Sequence, residues 1–342
     1  MASGTITDLA LGGSLGRDEL IRAFRNMYLS RRIDDREVLL KRQNKIYFQI
    51  SGAGHEAIQT AAGMMLKPGH DWLFPYYRDR ALCLALGVTP EDMLLQSVGA
   101  EADPASGGRL MPSHWSSPKL HIVSPSSATG TQFLPAIGCA DANRRLDPAS
   151  DAITVATCGD GATSEGEFWE SLNIASIERL AILYLVEDNG WAISVPVEKQ
   201  TAGGNIARAV AGYPGLKVFE CDGTDFMASY KIMHEAVDYC RRQQGPVLVR
   251  ATCTRPYAHS YSDDEKLYKT AAERALEAER DPVVRFPEWL LAEGHLDARV
   301  FELITNEVDL EIQQITERVL KAPAPLPESA LTFLYSDRVD PT

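Results

Sequence analysis

The chain has 342 residues, 45% of them apolar and 24% charged. That is the composition of a globular protein with one large domain or two ordinary ones, and it excludes a disordered chain. Against 34 Lys and Arg stand 47 Asp and Glu, a formal net charge of −13, which repels phosphate backbones and argues against a nucleic-acid partner. No run approaches the roughly 18 consecutive apolar residues of a membrane span, so no membrane partner is expected.

Residues 1–16 lack the basic start and long apolar centre of a secretory signal, and their Gly, Ser and Thr content reads as a flexible arm. Six cysteines form no CxxC pair and mostly sit in apolar stretches; they read as buried free thiols of a protein kept in a reducing cytoplasm. Residues 17–45 space Leu20, Phe24, Met27, Leu29 and Ile33 as on a long helix, locally basic, with its charged face expected in solvent. ISGAGHEAIQTAAGMML turns on glycines into a second helix, and KPGHDWLFPYYRDR leads out of it. Residues 97–135 are dense in Gly, Ser and Pro with little periodicity, a long loop of the kind that carries function.

From 152 to 254 the strand-like runs AITVATC, LAILYLV, LKVFEC and PVLVRATCT alternate with helical stretches near 165–178 and 225–243. In the latter, Phe226, Tyr230, Met233, Val237 and Cys240 make one apolar stripe, with His234 flanking it as a structural residue. The expected fold is therefore α/β: a doubly wound, mostly parallel sheet with helices on both faces. Helices alone follow over about 284–320, then a Pro-rich spacer and docking tail over 322–342. Leu331, Phe333, Leu334 and Tyr335 in that tail read as a partner surface.

Chemistry concentrates in CGDGATSEG and EDNGWAIS. Asp160 follows one strand and Asn189 the next, so both belong at the carboxyl ends of neighbouring strands, where α/β sheets bind ligands. A carboxylate and an amide carbonyl are hard oxygen ligands suited to Mg²⁺, which completes its shell with water and phosphate oxygens. Gly159 and Gly161 let backbone approach a phosphate, and Ser164–Glu167 has capping-box spacing. His259 lies in a polar loop after the last strand, where an imidazole that switches protonation near neutrality would meet a ligand. His114 and His121 lie in the long loop; only the first is a pocket candidate. No strand carries a GxGxxG fingerprint, which argues against a nicotinamide enzyme.

GDG, this spacer and the closing Asn-Gly resemble the diphosphate motif of the thiamine-diphosphate-binding fold. From about residue 17 to the final SDRVDP the chain resembles the α subunit of the E1 component of 2-oxoacid dehydrogenase complexes. GRLMPSH at 108–114, SSATGTQ at 126–132, GDGATSEG at 159–166 and HSYSDD at 259–264 are most similar to the branched-chain type. The resemblance implies one cofactor-binding domain over 17–321 that holds Mg²⁺ and thiamine diphosphate. It implies side-chain ligation of Mg²⁺ by Asp160 and Asn189, with the carbonyl of Trp191 as a third ligand. Gly159, Gly161 and Ala162 would meet the diphosphate through backbone; Tyr77 and Arg78 match a Tyr-Arg pair at the phosphates; Ser127 and Thr129 would line the cofactor. Ser126, Thr131 and Gln132 match a loop that binds K⁺ in branched-chain relatives, and His259 matches a His that touches the cofactor and assists acyl transfer.

The activity implied is decarboxylation of a 2-oxo acid, of the 3-methyl-2-oxobutanoate type, and reductive acylation of the lipoyl domain of an E2 acyltransferase. A pyruvate or acetoin enzyme stays an alternative, as does a non-catalytic scaffold subunit. The partner implied is an E1 β subunit in an α₂β₂ heterotetramer, or the β half of a fusion. One departure stands out: branched-chain relatives carry an Arg before the Asn pair, where this chain has Glu187-Asp188-Asn189. That carboxylate should weaken diphosphate binding unless it turns away or pairs with a cation such as Arg78.

Overall fold

A computed structural model describes residues 15–332. Helix α1 (Arg17–Arg42) leads into α2 (Glu56–Met65), a short strand β1 (Trp72–Phe74), α3 (Arg80–Leu86) and α4 (Pro90–Val98). After an irregular stretch come α5 (Phe133–Leu146), β2 (Thr154–Gly159), α6 (Gly166–Glu178) and β3 (Ile182–Asp188). A small antiparallel pair, β4 (Trp191–Ala192) and β5 (Val195–Pro196), precedes the short helices α7 (Val197–Gln200) and α8 (Ile206–Val210). The chain then runs through β6 (Lys217–Asp222), α9 (Phe226–Arg241), β7 (Val247–Thr252), α10 (Ala271–Glu279), α11 (Pro282–Ala292) and α12 (Ala298–Val319).

Five of these strands form one sheet in the order β1-β2-β3-β7-β6, parallel throughout. Strand residues alternate between its faces. On β3, Leu183 and Leu185 join the layer of α1, α2, α9, α11 and α12, whereas Ile182, Tyr184 and Val186 join that of α5, α6 and α8. Both faces are thus covered, as the unbroken apolar runs of the central strands require. The stripe of α9 packs as expected, with Phe226, Met233, Val237 and Cys240 buried. All six cysteines are free thiols, and no described helix is long and apolar enough to cross a membrane.

Several expectations need correction. The capping box at Ser164–Glu167 is not made: Asp160–Ser164 is a 3₁₀ turn, and α6 starts at Gly166 with no side-chain cap. The Thr163 hydroxyl closes that turn by donating to the Asp160 carbonyl (2.7 Å), while Ser164 lies against the Gln200 carbonyl instead. The charged face of α1 is not wholly solvated, since Arg31, Asp34 and Glu37 are buried in ion pairs. The stretch 97–135 is not all loop: α4 reaches Val98 and α5 begins at Phe133. Between them Trp115 and Ile122 are buried, and the Arg80 guanidinium sits 5.2 Å from the Trp115 ring centre. The Pro-rich spacer is anchored, its Pro323 carbonyl accepting the Glu101 N–H at 3.0 Å. Leu331 is exposed; Phe333, Leu334 and Tyr335, and most of the expected arm, lie outside the described residues.

Candidate functional site

Strands β2, β3 and β7 end side by side, with Gly159 opposite Glu187 and Asp188 opposite Thr252. Past their carboxyl ends opens a cavity of about 430 Å³. Tyr77, Arg78, Ser127, Thr129, Gly159, Asp160, Gly161, Ala162, Asn189, Trp191 and His259 all line it, as do His114 and Gln132. The sequence candidates, drawn from six separate segments, therefore converge on one site. Ser126 and Thr131 do not line it. His121 does not line it either, but it orders the loop, a role not expected of it, stacked on Trp72 with ring centres 4.2 Å apart.

Asp160 is buried, and its Oδ2 accepts from the Gln200 amide at 2.6 Å. Burial, reinforced by the Asp188 charge, pushes its carboxyl up to about 7. Asp188 itself is held by Arg250 at 2.7 Å. On the next strand end, Asn189 Oδ1 accepts the Trp191 N–H at 3.2 Å. Gly161 is required by packing: a Cβ there would stand 2.9 Å from the Ala192 Cβ.

Arg78 is buried, not the surface ion pair that such a residue alone would suggest. Its Nη1 donates to the Ser51 carbonyl (2.5 Å) and its Nη2 to His259 Nδ1 (3.0 Å) and the His259 carbonyl (3.2 Å). The guanidinium lies 5.1 Å from the Tyr77 ring centre, and among the described residues no carboxylate forms an ion pair with it. Near it is a second buried cation that the sequence reading missed. Arg255 Nη2 donates to the Ile193 carbonyl (2.9 Å) and the Tyr268 hydroxyl (2.8 Å), leaving Nε and Nη1 without a hydrogen-bond partner among the described residues. Burial and the Arg78 charge hold Arg255 below the usual arginine range. Arg78 lines the cavity and Arg255 stands behind it on the Ile193 carbonyl; a desolvated guanidinium in the wall makes a receptor for an anion.

His259 receives the Arg78 donor on Nδ1, so its proton sits on Nε2. Burial, then Arg78 and Arg255, lower it to about 4. That corrects the expectation of a ring that switches near neutrality: here it is a fixed neutral donor. His114 is also in the pocket wall, its Nε2 2.9 Å from the Ser127 hydroxyl. In the expected K⁺ loop, Thr131 donates to the Ala128 carbonyl (2.8 Å) and Gln132 Nε2 to the Thr157 carbonyl (2.8 Å).

Glu187 turns away from the cavity and does not pair with Arg78. It continues the Leu183–Leu185 face of β3 and is fully buried. Its Oε2 receives His55 Nδ1 (2.6 Å), Gln59 Nε2 (2.8 Å) and the Tyr76 hydroxyl (3.2 Å). Burial raises its carboxyl to about 7 and raises the neighbouring Asp79 well above the usual range. Neither this cluster nor Gln200 carries a motif that would have disclosed it.

A family described as Dehydrogenase E1 component has a model that matches residues 24–328. The chain is 36% identical over 329 residues to the 2-oxoisovalerate dehydrogenase subunit alpha of Bacillus subtilis (strain 168), spanning 96% of this chain and 98% of that one. To the 3-methyl-2-oxobutanoate dehydrogenase subunit alpha of Mycobacterium tuberculosis it is 34% identical over 91% of this chain and 81% of the other. To the pyruvate dehydrogenase E1 component subunit alpha of Mycoplasma pneumoniae it is 33% identical, over 92% and 84%.

Proposed function

The chain belongs to the dehydrogenase E1 component family, and on that premise we propose that it is the α subunit of a branched-chain 2-oxoacid dehydrogenase. With a β subunit it decarboxylates a 2-oxo acid of the 3-methyl-2-oxobutanoate type and passes the acyl group to a lipoyl domain. One observation carries this reading: the buried Arg78, which has no ion-pair partner among the described residues, shares a cavity with Asp160 and Asn189 at adjacent strand ends. That donor set fits a magnesium-bound diphosphate. Asp160, Asn189 and the Trp191 carbonyl would hold Mg²⁺, and its charge would relieve the buried Asp160 carboxyl. Thr131 and Gln132 spend only their donors on carbonyls, and the Ser126 hydroxyl accepts the Ala128 N–H at 3.3 Å with a lone pair to spare; K⁺ at these oxygens belongs to the proposal. The cytoplasm is the compartment that suits six free thiols.

Thiamine diphosphate, when bound, supplies the electron sink for decarboxylation. The residues of this chain bind and orient it. Arg78 offers a fixed cation to the phosphates, the Gly161 and Ala162 amides can approach them closely, and Ser127 and Thr129 line the remainder of the cavity. His259 presents Nε2–H as a hydrogen-bond donor towards a carboxylate or transferring acyl oxygen. Its neutral state makes that role independent of pH above about 5.

Co-production with the β chain and assays across branched-chain 2-oxo acids, pyruvate and acetoin identify the substrate; highest kcat/KM on the branched-chain acids supports the proposal. Preference for pyruvate would favour the reading that the Mycoplasma relative suggests. An assembly that binds no cofactor would leave the scaffold role. In calorimetric titration, Asp160→Ala and Asn189→Ala should each abolish Mg²⁺-dependent cofactor binding with melting unchanged; wild-type affinity in either would remove that residue from the metal site.

A further inference from the structure

Behind Asn189, on the side away from the cavity, lies a buried polar relay that no part of the proposed chemistry uses. Asn189 Nδ2 stands 3.2 Å from His55 Nε2, and His55 Nδ1 stands 2.6 Å from Glu187 Oε2. His55 and Glu187 are 132 residues apart in sequence, and both are fully buried. We propose that His55 and Glu187 are positioning residues that fix the side-chain amide of Asn189 so that its oxygen, not its nitrogen, faces the metal. This inference rests on the reading of Asn189 as a metal ligand.

The donors and acceptors admit one self-consistent arrangement. The Trp191 N–H points at one terminal atom of Asn189, at 3.2 Å, and that atom must accept; it is Oδ1. The other is then the amide nitrogen, which only donates, so His55 Nε2 must accept and its ring proton must sit on Nδ1. That proton meets Glu187 Oε2, which also receives Gln59 Nε2 (2.8 Å) and the Tyr76 hydroxyl (3.2 Å). An oxygen that meets three donors acts as an acceptor. Reversing the Asn189 amide fails, because it sets two donors against each other at Trp191.

The consequence concerns the ligand set. An asparagine amide free to rotate presents –NH₂ to a cation for part of the time, and –NH₂ cannot ligate Mg²⁺. Partners one bond removed from a ligand typically change metal affinity by about tenfold to a hundredfold. Glu187, which reads in the sequence as a hindrance to an anionic cofactor, here serves the cation beside that cofactor.

The test uses the assembly with its β chain, thiamine diphosphate in excess, and Mn²⁺ as an EPR-visible probe in place of Mg²⁺. His55→Leu should weaken Mn²⁺ binding about tenfold to a hundredfold and raise the metal requirement, with kcat at saturating metal close to wild type. His55→Gln, which can donate to Glu187 and accept from Asn189, should recover most of the affinity. Wild-type metal affinity in His55→Leu beside an impaired Asn189→Ala overturns the relay and leaves the metal site standing. Wild-type affinity in both overturns the metal site itself. A parallel loss of melting temperature in His55→Leu that His55→Gln does not restore assigns His55 to the scaffold and overturns the proposal. Should both variants misfold, neutron diffraction from the unsubstituted assembly decides: deuterium on Nδ1 of His55 supports the relay, and deuterium on Nε2 overturns it.

Discussion

Two groups of buried arginines are handled in opposite ways. Under α1, Arg80 meets Asp34 (3.1 Å) and Glu37 (2.6 Å), and Arg31 meets Asp281 (2.7 Å) and Glu56 (2.8 Å). Each cation there has two carboxylates. At the strand ends, Arg78 has carbonyls and an imidazole, and Arg255 has a carbonyl and a phenol. Burying an uncompensated charge is costly and persists only where something else supplies the counter-charge. The matched arginines hold the scaffold, and of the unmatched two Arg78, which lines the cavity, marks where an anion belongs. The contrast locates the site without any motif, because it depends on the balance of charge.

The contrast breaks first at the matched pair. Arg80→Met leaves Asp34 and Glu37 buried without a cation, and should cost about 3–5 kcal/mol of stability, read from the denaturant midpoint of the assembly. A loss under 1 kcal/mol would mean that the two carboxylates do not need Arg80. Arg78→Met should do the reverse. It removes a charge with no carboxylate, so the ligand-free assembly should melt within a degree or two of wild type. Its cofactor affinity should fall by about 1.5–3 kcal/mol, the worth of hydrogen bonds to a charged group. If calorimetry finds affinity intact and melting collapsed, Arg78 is scaffold and the distinction between the groups fails.

How much of this could be read from the sequence follows from the range of each interaction. The central strands were legible because burial on both faces leaves continuous apolar runs such as LAILYLV. Strand β1 was not, being three residues long and closed by Pro75. Helix α5 hid behind Pro135 at its first turn, where proline is tolerated. Ser164 had the right spacing for a cap, yet Thr163 closes a turn one residue earlier. At the site, Asp160 and Asn189 were legible because a residue just past a parallel strand has only one place to be. Arg78 needed the resemblance, and Arg255 was missed since a lone Arg in TRPYAHS carries no spacing signal. The His55–Glu187 contact lay beyond any local pattern. Glu187 could have been oriented by counting, however, since it alternates with Leu185 and Leu183 on β3.

The smallest effect expected is at His259, which belongs to the unmatched group only as Arg78's acceptor. His259→Gln keeps a donor near Nε2 but displaces the Arg78 contact. Reductive acylation of the lipoyl domain should fall about tenfold, equivalent to about 1.4 kcal/mol. Decarboxylation read with an artificial electron acceptor should change less, because the ring is placed to meet the acyl oxygen and not the scissile bond. Equal losses in both assays would assign it to cofactor binding alone. The ring also leaves a signature in stability against pH. Its folded value is lowered from 6.5 to about 4, so between those limits the unfolded chain binds a proton that the folded chain refuses. The contribution is fully present above pH 6.5 and is lost as pH falls towards 4. Melting temperatures of wild type and His259→Gln should therefore converge, or cross, on acidification through that window, and run parallel above it. A gap that stays constant from pH 7 to pH 4.5 would show that neither burial nor the Arg78 and Arg255 charges press on this ring, and with that would go its role as a fixed neutral donor.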